Sequence, residues 1–520
     1  MHLAVVCLFS VATATLWVMT KGQSVNGDEA VIGLMALKIS QGKDFPLFFW
    51  KAHYAGPIAS YLAAPLHWIW EPSARLLHAA VIPFHVFYCC GVYLLAHKWL
   101  DPKAALIAGL LAALPTRLFP YSALGGYMES ISILPWFFLL CLGESNADCP
   151  DAKRKRAFGG GVLAGLALWI FPISLPAVAA GLVLIPRALG KSNLKRVMLG
   201  ALAALVPAIA YNLVHPGATF LRLLSRPVGF QRQGLVQTIS GEGWLAVCQQ
   251  AISHWLDGCY HSLANLPGFT STLFGLSSGG TLWASAAGFV GLIGFSAGLF
   301  LCHKARKSRN SIPGALFASV AFTYAFVLLF GMDRYRYLIP VLIILPFGTA
   351  LMITQGLRSL GAWGMGIAVC IVLLLNGLGN LHEGDKPPDL QRLSSFLEAH
   401  GLPRGYAKYD LAYPLTYLSN ERLIFTPALH DPKSDRNAKY TQMVTESDKP
   451  VYLFDELAAA TRFRHSLAEL GIPAREETIG GYSVFFDVQR RLNPGEIQTN
   501  GQGRIPHSRF CLFWISDSLR

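Results

Sequence analysis

The sequence predicts an all-α, polytopic membrane protein that carries a small α/β domain toward its C-terminal end. Hydrophobic residues fill 53% of the 520 positions and charged ones only 14%, less charge than a soluble domain needs to cover its surface. Apolar runs of membrane-spanning length recur from residue 1 to about residue 380, and a bilayer accepts such runs as helices because their backbone groups are satisfied internally. Past residue 381 the pattern changes to short strands and amphipathic stretches, the signature of a mixed domain outside the lipid.

The expected spans lie near 1–20, 75–96, 103–120, 129–143, 157–170, 173–187, 195–213, 281–302, 312–331, 338–355 and 362–380, about eleven in all. The first is read as a retained span and not a signal peptide, because its start lacks Lys or Arg. Pro172 and Pro176 mark either a tight outer turn or a kink within one long helix. Gly159-Gly160-Gly161, with Gly165 one turn on, suits close helix packing in lipid.

Basic residues set the orientation. Lys153-Arg154-Lys155-Arg156, then Arg187, Lys191, Lys195 and Arg196, then Lys304, Arg306, Lys307 and Arg309 fill three connections. With these on the cytoplasmic side every span alternates, the N-terminus is inside and the C-terminus outside. Residues 21–74, 214–280 and everything from 381 then face outward. The formal charge of +13 is largely this topology signal, so no nucleic-acid partner is expected.

Cys89-Cys90, Cys141 and Cys370 sit in apolar spans as small apolar residues. Cys248 and Cys259 share an outer loop, where an oxidising compartment would permit but not require a bridge. No CxxC, HExxH, phosphate loop or dinucleotide fingerprint occurs.

The expected domains are a transmembrane domain over 1–380, an outward-facing α/β domain over 381–488 and a poorly ordered end over 489–520. In the second, Leu390 to His400 reads as a helix stopped by Gly401 and Pro403. Gly405 to Tyr409, Arg422 to Phe425 and Val451 to Phe454 read as strands, Leu457 to Leu470 as a helix, and Glu477 to Val488 as a strand pair.

The chemistry-bearing residues begin with Asp28-Glu29, just beyond the first span and before an amphipathic helix over Ala30 to Ser40. Asp28 is a candidate proton acceptor; the plainer reading is that Asp28 or Asn26 caps that helix. Glu29 either tunes Asp28 or is a solvated first-turn charge favoured by the helix dipole. Asn26-Gly27-Asp28-Glu29-Ala30, Gly42, Tyr54-Ala55-Gly56 and Ala64-Pro65 resemble the first outer loop of bacterial GT-C glycosyltransferases, the group akin to protein O-mannosyltransferases and aminoarabinose transferases. Leu124-Gly125-Gly126-Tyr127-Met128-Glu129 is similar to that group's second outer loop, and Arg334-Tyr335-Arg336-Tyr337-Leu338-Ile339-Pro340 to its entry into a late span. The tail, through Gly405 to Tyr409 and Ala412-Tyr413, also resembles the group's accessory domain. The chain departs from it at Pro57-Ile58-Ala59, where an acidic residue often follows the Tyr-x-Gly.

The resemblance implies a GT-C-like fold in a bacterial inner membrane. It also implies inverting hexosyl or pentosyl transfer from a polyprenyl-phosphate-linked sugar donor to an envelope glycan, lipid or protein acceptor. The residues suit that chemistry: inversion needs a base for the attacking hydroxyl, and a carboxylate is the usual choice. Asp28 and Glu29 are then catalytic candidates, and Glu129, His53, Tyr54 and Tyr127 acceptor or sugar contacts. Arg334, Arg336 and Tyr337 are candidates for the lipid phosphate, which guanidinium groups meet bidentately; Arg222, Arg226 and Arg232 rank behind them. Glu129 is otherwise an interfacial charge, and the arginines otherwise snorkel to headgroups or pair with Asp333. Asp28 and Glu129 are oxygen ligands suited to Mg²⁺ or Mn²⁺, should a divalent cation take part. Two rival classes stay open: a lipid or sugar transporter or flippase, and a non-catalytic envelope scaffold. The expected spans are nearly free of mid-helix charge and show no repeated halves, which speaks against transport.

Overall fold

Helix α1 (His2–Thr20) has no charged residue along its length, as the first apolar run predicts. The computed structural model describes residues 1–20, 24–114, 125–142, 149–215, 218–219, 252–253, 255–257, 259–266, 282–305, 311–330, 335–356, 389–429, 434–490 and 492. Along the chain follow α2 (Gly27–Ser40), α3 (Ile82–His97), α4 (Pro102–Ala112), α5 (Tyr127–Leu142), α6 (Pro150–Ile170), α7 (Leu175–Ala188) and α8 (Lys191–Val214). Then come α9 (Leu282–Ala305), α10 (Ile312–Leu329) and α11 (Leu345–Leu351), the last entered through a 3-10 stretch over Tyr335–Ile344. His2–Thr20, Ala74–His97, Lys191–Val214, Ile312–Leu329 and Tyr337–Thr354 are long and apolar enough to cross a membrane. The span expected at 362–380, Cys248, Cys370 and most of the 489–520 end lie outside the described residues.

Two compact units divide the chain. Met1–Thr20, Pro46–Ala59 and His78–Glu383 form the first; Lys21–Phe45, Ser60–Leu77 and Gly384–Arg520 form the second.

In the first unit the glycine run does what close packing requires. A Cβ on Gly161 or Gly165 would overlap the backbone of Val197 or Ala201 on α8, and one on Gly200 the backbone of Phe158 on α6. The two helices therefore touch along small residues, the way lipid-embedded helices gain van der Waals contact without a hydrophobic driving force. Between α6 and α7 the chain does not kink but breaks. Phe171 is extended (φ −160°, ψ 127°), and one 3-10 turn over Pro172–Ser174 precedes α7. Proline can open a helical turn because its missing N–H would have no partner there.

The second unit is built on a five-stranded sheet of order β2-β1-β3-β5-β4. Its elements are α12 (Leu390–Ala399), β1 (Arg404–Tyr406), α13 (Tyr409–Leu418), β2 (Ile424–Thr426), α14 (Ala438–Thr445), β3 (Val451–Phe454), α15 (Leu457–Glu469), β4 (Arg475–Ile479) and β5 (Tyr482–Phe486). Strands β2, β1 and β3 are parallel; β5 and β4 complete the sheet antiparallel. Leu393, Leu397, Phe425, Val451, Leu453 and Val484 lie in its core. Tyr409 does not end a strand, as the sequence suggested; it opens α13. Pro414 inside that segment hides the helix from a pattern reading, since proline removes an internal hydrogen bond. The signal was Tyr409, Tyr413 and Tyr417 at a spacing of four, which puts three rings on one helical face.

Helix α2 belongs to this second unit. Val31, Leu34 and Met35 are fully buried, each gaining about 1.5–3 kcal/mol from that burial. A Cβ on Gly27 would overlap the Tyr409 ring, and one on Gly33 the Tyr417 ring. The Ser60 hydroxyl donates to the Ile32 carbonyl (3.0 Å), and the Tyr417 hydroxyl to the Ser73 carbonyl (3.3 Å). Lys38 Nζ meets both oxygens of the Glu421 carboxylate, at 2.6 and 2.7 Å, and Glu421 Oε1 also accepts from the Tyr440 hydroxyl at 2.7 Å.

Candidate functional site

The start of α2 settles which residue caps it. Asn26 is extended (φ −84°, ψ 175°), and its side-chain oxygen accepts from the Glu29 N–H at 3.0 Å. Glu29 Oε2 accepts in return from the Asn26 N–H, also at 3.0 Å. This is a capping box, two orphan donors satisfied reciprocally. It winds the helix from Gly27, three residues before the expected start at Ala30. Glu29 is buried at 5% exposure, not solvated, and one of its oxygens is spent on the cap.

Asp28 is the residue this arrangement leaves over. It is exposed, and among the described residues its carboxylate has one hydrogen-bond partner, the Tyr409 hydroxyl at 2.6 Å. The adjoining Gly27 N–H donates to Asp410 Oδ1 at 2.9 Å. The Arg436 guanidinium carbon lies 5.6 Å from the centre of the Tyr409 ring, within cation–π range. Burial, with the Asp28 carboxylate beside it, pushes the Tyr409 phenol above its ordinary value. Tyr409 therefore remains a donor at any physiological pH. Sequence reasoning missed it, because 381 residues separate it from Asp28.

The first unit assembles a second group. Gly125 and Gly126 have φ of +102° and +91°, a turn that glycine alone enters without strain, and it delivers Tyr127, Met128 and Glu129 into the start of α5. Glu129 is 1% exposed, and its carboxylate has no side-chain hydrogen-bond partner among the described residues, leaning only on the backbone N–H groups of Glu129 itself and Gly126. Tyr127 packs on Phe171 with ring centres 4.8 Å apart, and Tyr54 reaches the same ring at 6.1 Å. The Gly56 N–H donates to the Trp169 and Ile170 carbonyls at 2.9 and 3.0 Å, which ties the first-loop Tyr-x-Gly to the break after α6. His53 Nδ1 and the Tyr211 hydroxyl share a hydrogen bond of 2.9 Å. Tyr54 and Tyr127 thus gather at one end of α5 and α6 with Phe171 as their common neighbour, Glu129 lies in the first turn of α5, and His53 joins the end of α8.

Arg334, Arg222, Arg226 and Arg232 lie outside the described residues. The Arg336 backbone is in the 3-10 stretch Tyr335–Ile344, and Tyr337 is buried at 7% exposure. Among the described residues no group of three or more His, Cys, Asp or Glu is placed to hold a metal.

In the search of solved structures, similarity falls to GT-C fold glycosyltransferases. ArnT from Cupriavidus metallidurans in the apo state is 14% identical, over 93% of this chain and 97% of that one, with a TM-score of 0.48. The same protein bound to undecaprenyl phosphate is 13% identical over 94% and 97%, with a TM-score of 0.48. The apo oligosaccharyltransferase of Archaeoglobus fulgidus is 15% identical over 90% of this chain and 70% of that one, with a TM-score of 0.46. Likenesses this loose say nothing about chemistry. No protein-family model and no curated protein sequence matches the chain.

Proposed function

We propose that the chain is a membrane glycosyltransferase that moves a sugar from a polyprenyl-phosphate carrier to an envelope glycan, lipid or protein, at the outer face of a bacterial inner membrane. The observation that carries this reading is that Asp28 is not the cap. Asn26 and Glu29 satisfy the start of α2 between them, so the plain structural role weighed for Asp28 is already filled. What remains is an exposed carboxylate with one oxygen fixed by a phenol.

In the proposed reaction the acceptor hydroxyl attacks the anomeric carbon. Its O–H bond breaks, and the proton passes to the Asp28 carboxylate as general base. The new C–O bond forms while the bond from the anomeric carbon to the phosphate oxygen breaks, which inverts the centre. The electron pair leaves on the lipid phosphate, whose charge Arg334 and Arg336 would meet as bidentate donors. Glu129, buried without a side-chain partner among the described residues, carries a polar group whose desolvation would be further offset by a bound hydroxyl. With Tyr127 in the same first turn of α5, it suits a sugar, which presents both apolar faces and hydroxyl edges. Glu29 holds the helix start and so fixes the backbone under Asp28. A divalent cation would take oxygen ligands; it has no assembled ligand set among the described residues. The reading includes the N-in, C-out orientation with about eleven spans.

The test uses purified full-length protein in proteoliposomes with radiolabelled polyprenyl-phosphate sugars. Covalent transfer of label to an envelope extract supports the enzyme. Movement of label across the bilayer without covalent change would replace it with a transporter.

A further inference from the structure

We propose that Tyr409, on the C-terminal sheet unit, is a positioning residue for the Asp28 carboxylate. The proposal rests on Asp28 being the proton acceptor.

Tyr409 is the first residue of α13 and follows β1 after only two residues. It thus sits at the carboxyl edge of the parallel strands. Strand β1 connects onward to β2 on one side and its neighbour β3 connects onward to β4 on the other, so the connections leaving this pair run to opposite sides. Open α/β sheets take their ligands at such a crossing. Two consecutive residues at the start of α13 grip two consecutive residues at the start of α2. The Tyr409 hydroxyl donates to Asp28 Oδ1 at 2.6 Å, and Asp410 Oδ1 accepts from the Gly27 N–H at 2.9 Å. Gly27 has no Cβ, and one there would overlap the Tyr409 ring; the close approach depends on its absence. Arg436 lies against the same ring.

An exposed aspartate near a helix start is free to turn about its side-chain bonds. A short bond to one oxygen removes that freedom and so fixes the aim of the other. Proton transfer depends on that aim, since a misplacement of about 1 Å can cost on the order of a hundredfold in rate. Tyr409 touches neither sugar nor acceptor in this account. It acts through Asp28.

The experiment compares wild type, Tyr409→Phe and Asp28→Asn as purified full-length proteins with labelled polyprenyl-phosphate sugar. kcat, KM and the thermal unfolding midpoint are read for each. The expected result is that Tyr409→Phe lowers kcat by about ten- to a hundredfold, leaves KM within about twofold, and keeps the wild-type midpoint. Wild-type kcat in Tyr409→Phe alongside an inactive, folded Asp28→Asn overturns the positioning role alone. A kcat loss matched by an equal loss of folded protein also overturns it, leaving Tyr409 a structural residue. Full activity in Asp28→Asn removes the base itself, and the positioning role falls with it.

Discussion

At the residue scale, two buried groups carry consequences that can be measured. Glu129 keeps a carboxyl group at 1% exposure with no side-chain hydrogen-bond partner among the described residues, only the backbone N–H groups of Glu129 itself and Gly126. Burying a polar group in that state costs about 1–3 kcal/mol, which folding would remove if stability were the only demand. Glu129→Met is therefore expected to raise the unfolding midpoint while abolishing transfer, a trade of stability against function. A midpoint that falls would mean that the carboxyl group is satisfied in the free protein. His67 is the second case. Burial pulls its imidazole down to about 4, against an ordinary value near 6.5. Below about pH 6.5 the unfolded chain takes up a proton that the folded unit refuses until about pH 4. Stability is accordingly indifferent to His67 above that window and falls as the pH drops through it. His67→Leu should flatten this part of the stability profile in urea titrations at pH 7, 6, 5 and 4; an unchanged slope would contradict the assignment.

At the element scale, the joint between α2 and α13 follows from side-chain size. Gly33 lies so close to the Tyr417 ring that any Cβ would overlap it. Gly33→Ala is expected to destabilise by about 1–3 kcal/mol, the usual range for overpacking, despite alanine's better helix propensity. Denaturant unfolding reads this directly, and a stabilised variant would show that the ring moves aside freely. Much of the secondary structure was legible in the sequence. Strand β3 falls on Val451–Phe454 as expected, α15 on Leu457–Glu469, and α1 on His2–Thr20. Helix α13 was not, because Pro414 argued against a helix more loudly than the tyrosine spacing argued for one. Helix α2 starts three residues before the expected Ala30, because Asn26, one of the two cap candidates, closes a capping box with Glu29 and so draws Gly27 and Asp28 into the first turn.

At the scale of the whole molecule, segments far apart in the sequence fold together. Lys21–Phe45 and Ser60–Leu77 fall in one compact unit with the chain from Gly384 onward, although the apolar pattern separates them by the entire run of expected spans. Hydrophobic periodicity shows what is buried, but not against what. The contact between Asp28 and Tyr409 spans 381 positions and leaves no local trace in either segment. The candidate residues were legible one by one, through charge and location, and their relations were not. Asp28 and Asn26 stand two positions apart and are assigned opposite roles, chemistry and capping, so one paired comparison tests the account most directly. Sugar transfer and the unfolding midpoint are measured for Asp28→Asn and Asn26→Ala. The account predicts that Asp28→Asn loses transfer by at least about a hundredfold with its midpoint kept, because asparagine still accepts the Tyr409 hydrogen bond. Asn26→Ala should lose about 1 kcal/mol of stability and retain transfer in the folded fraction. An Asp28→Asn protein that is folded and fully active would contradict it.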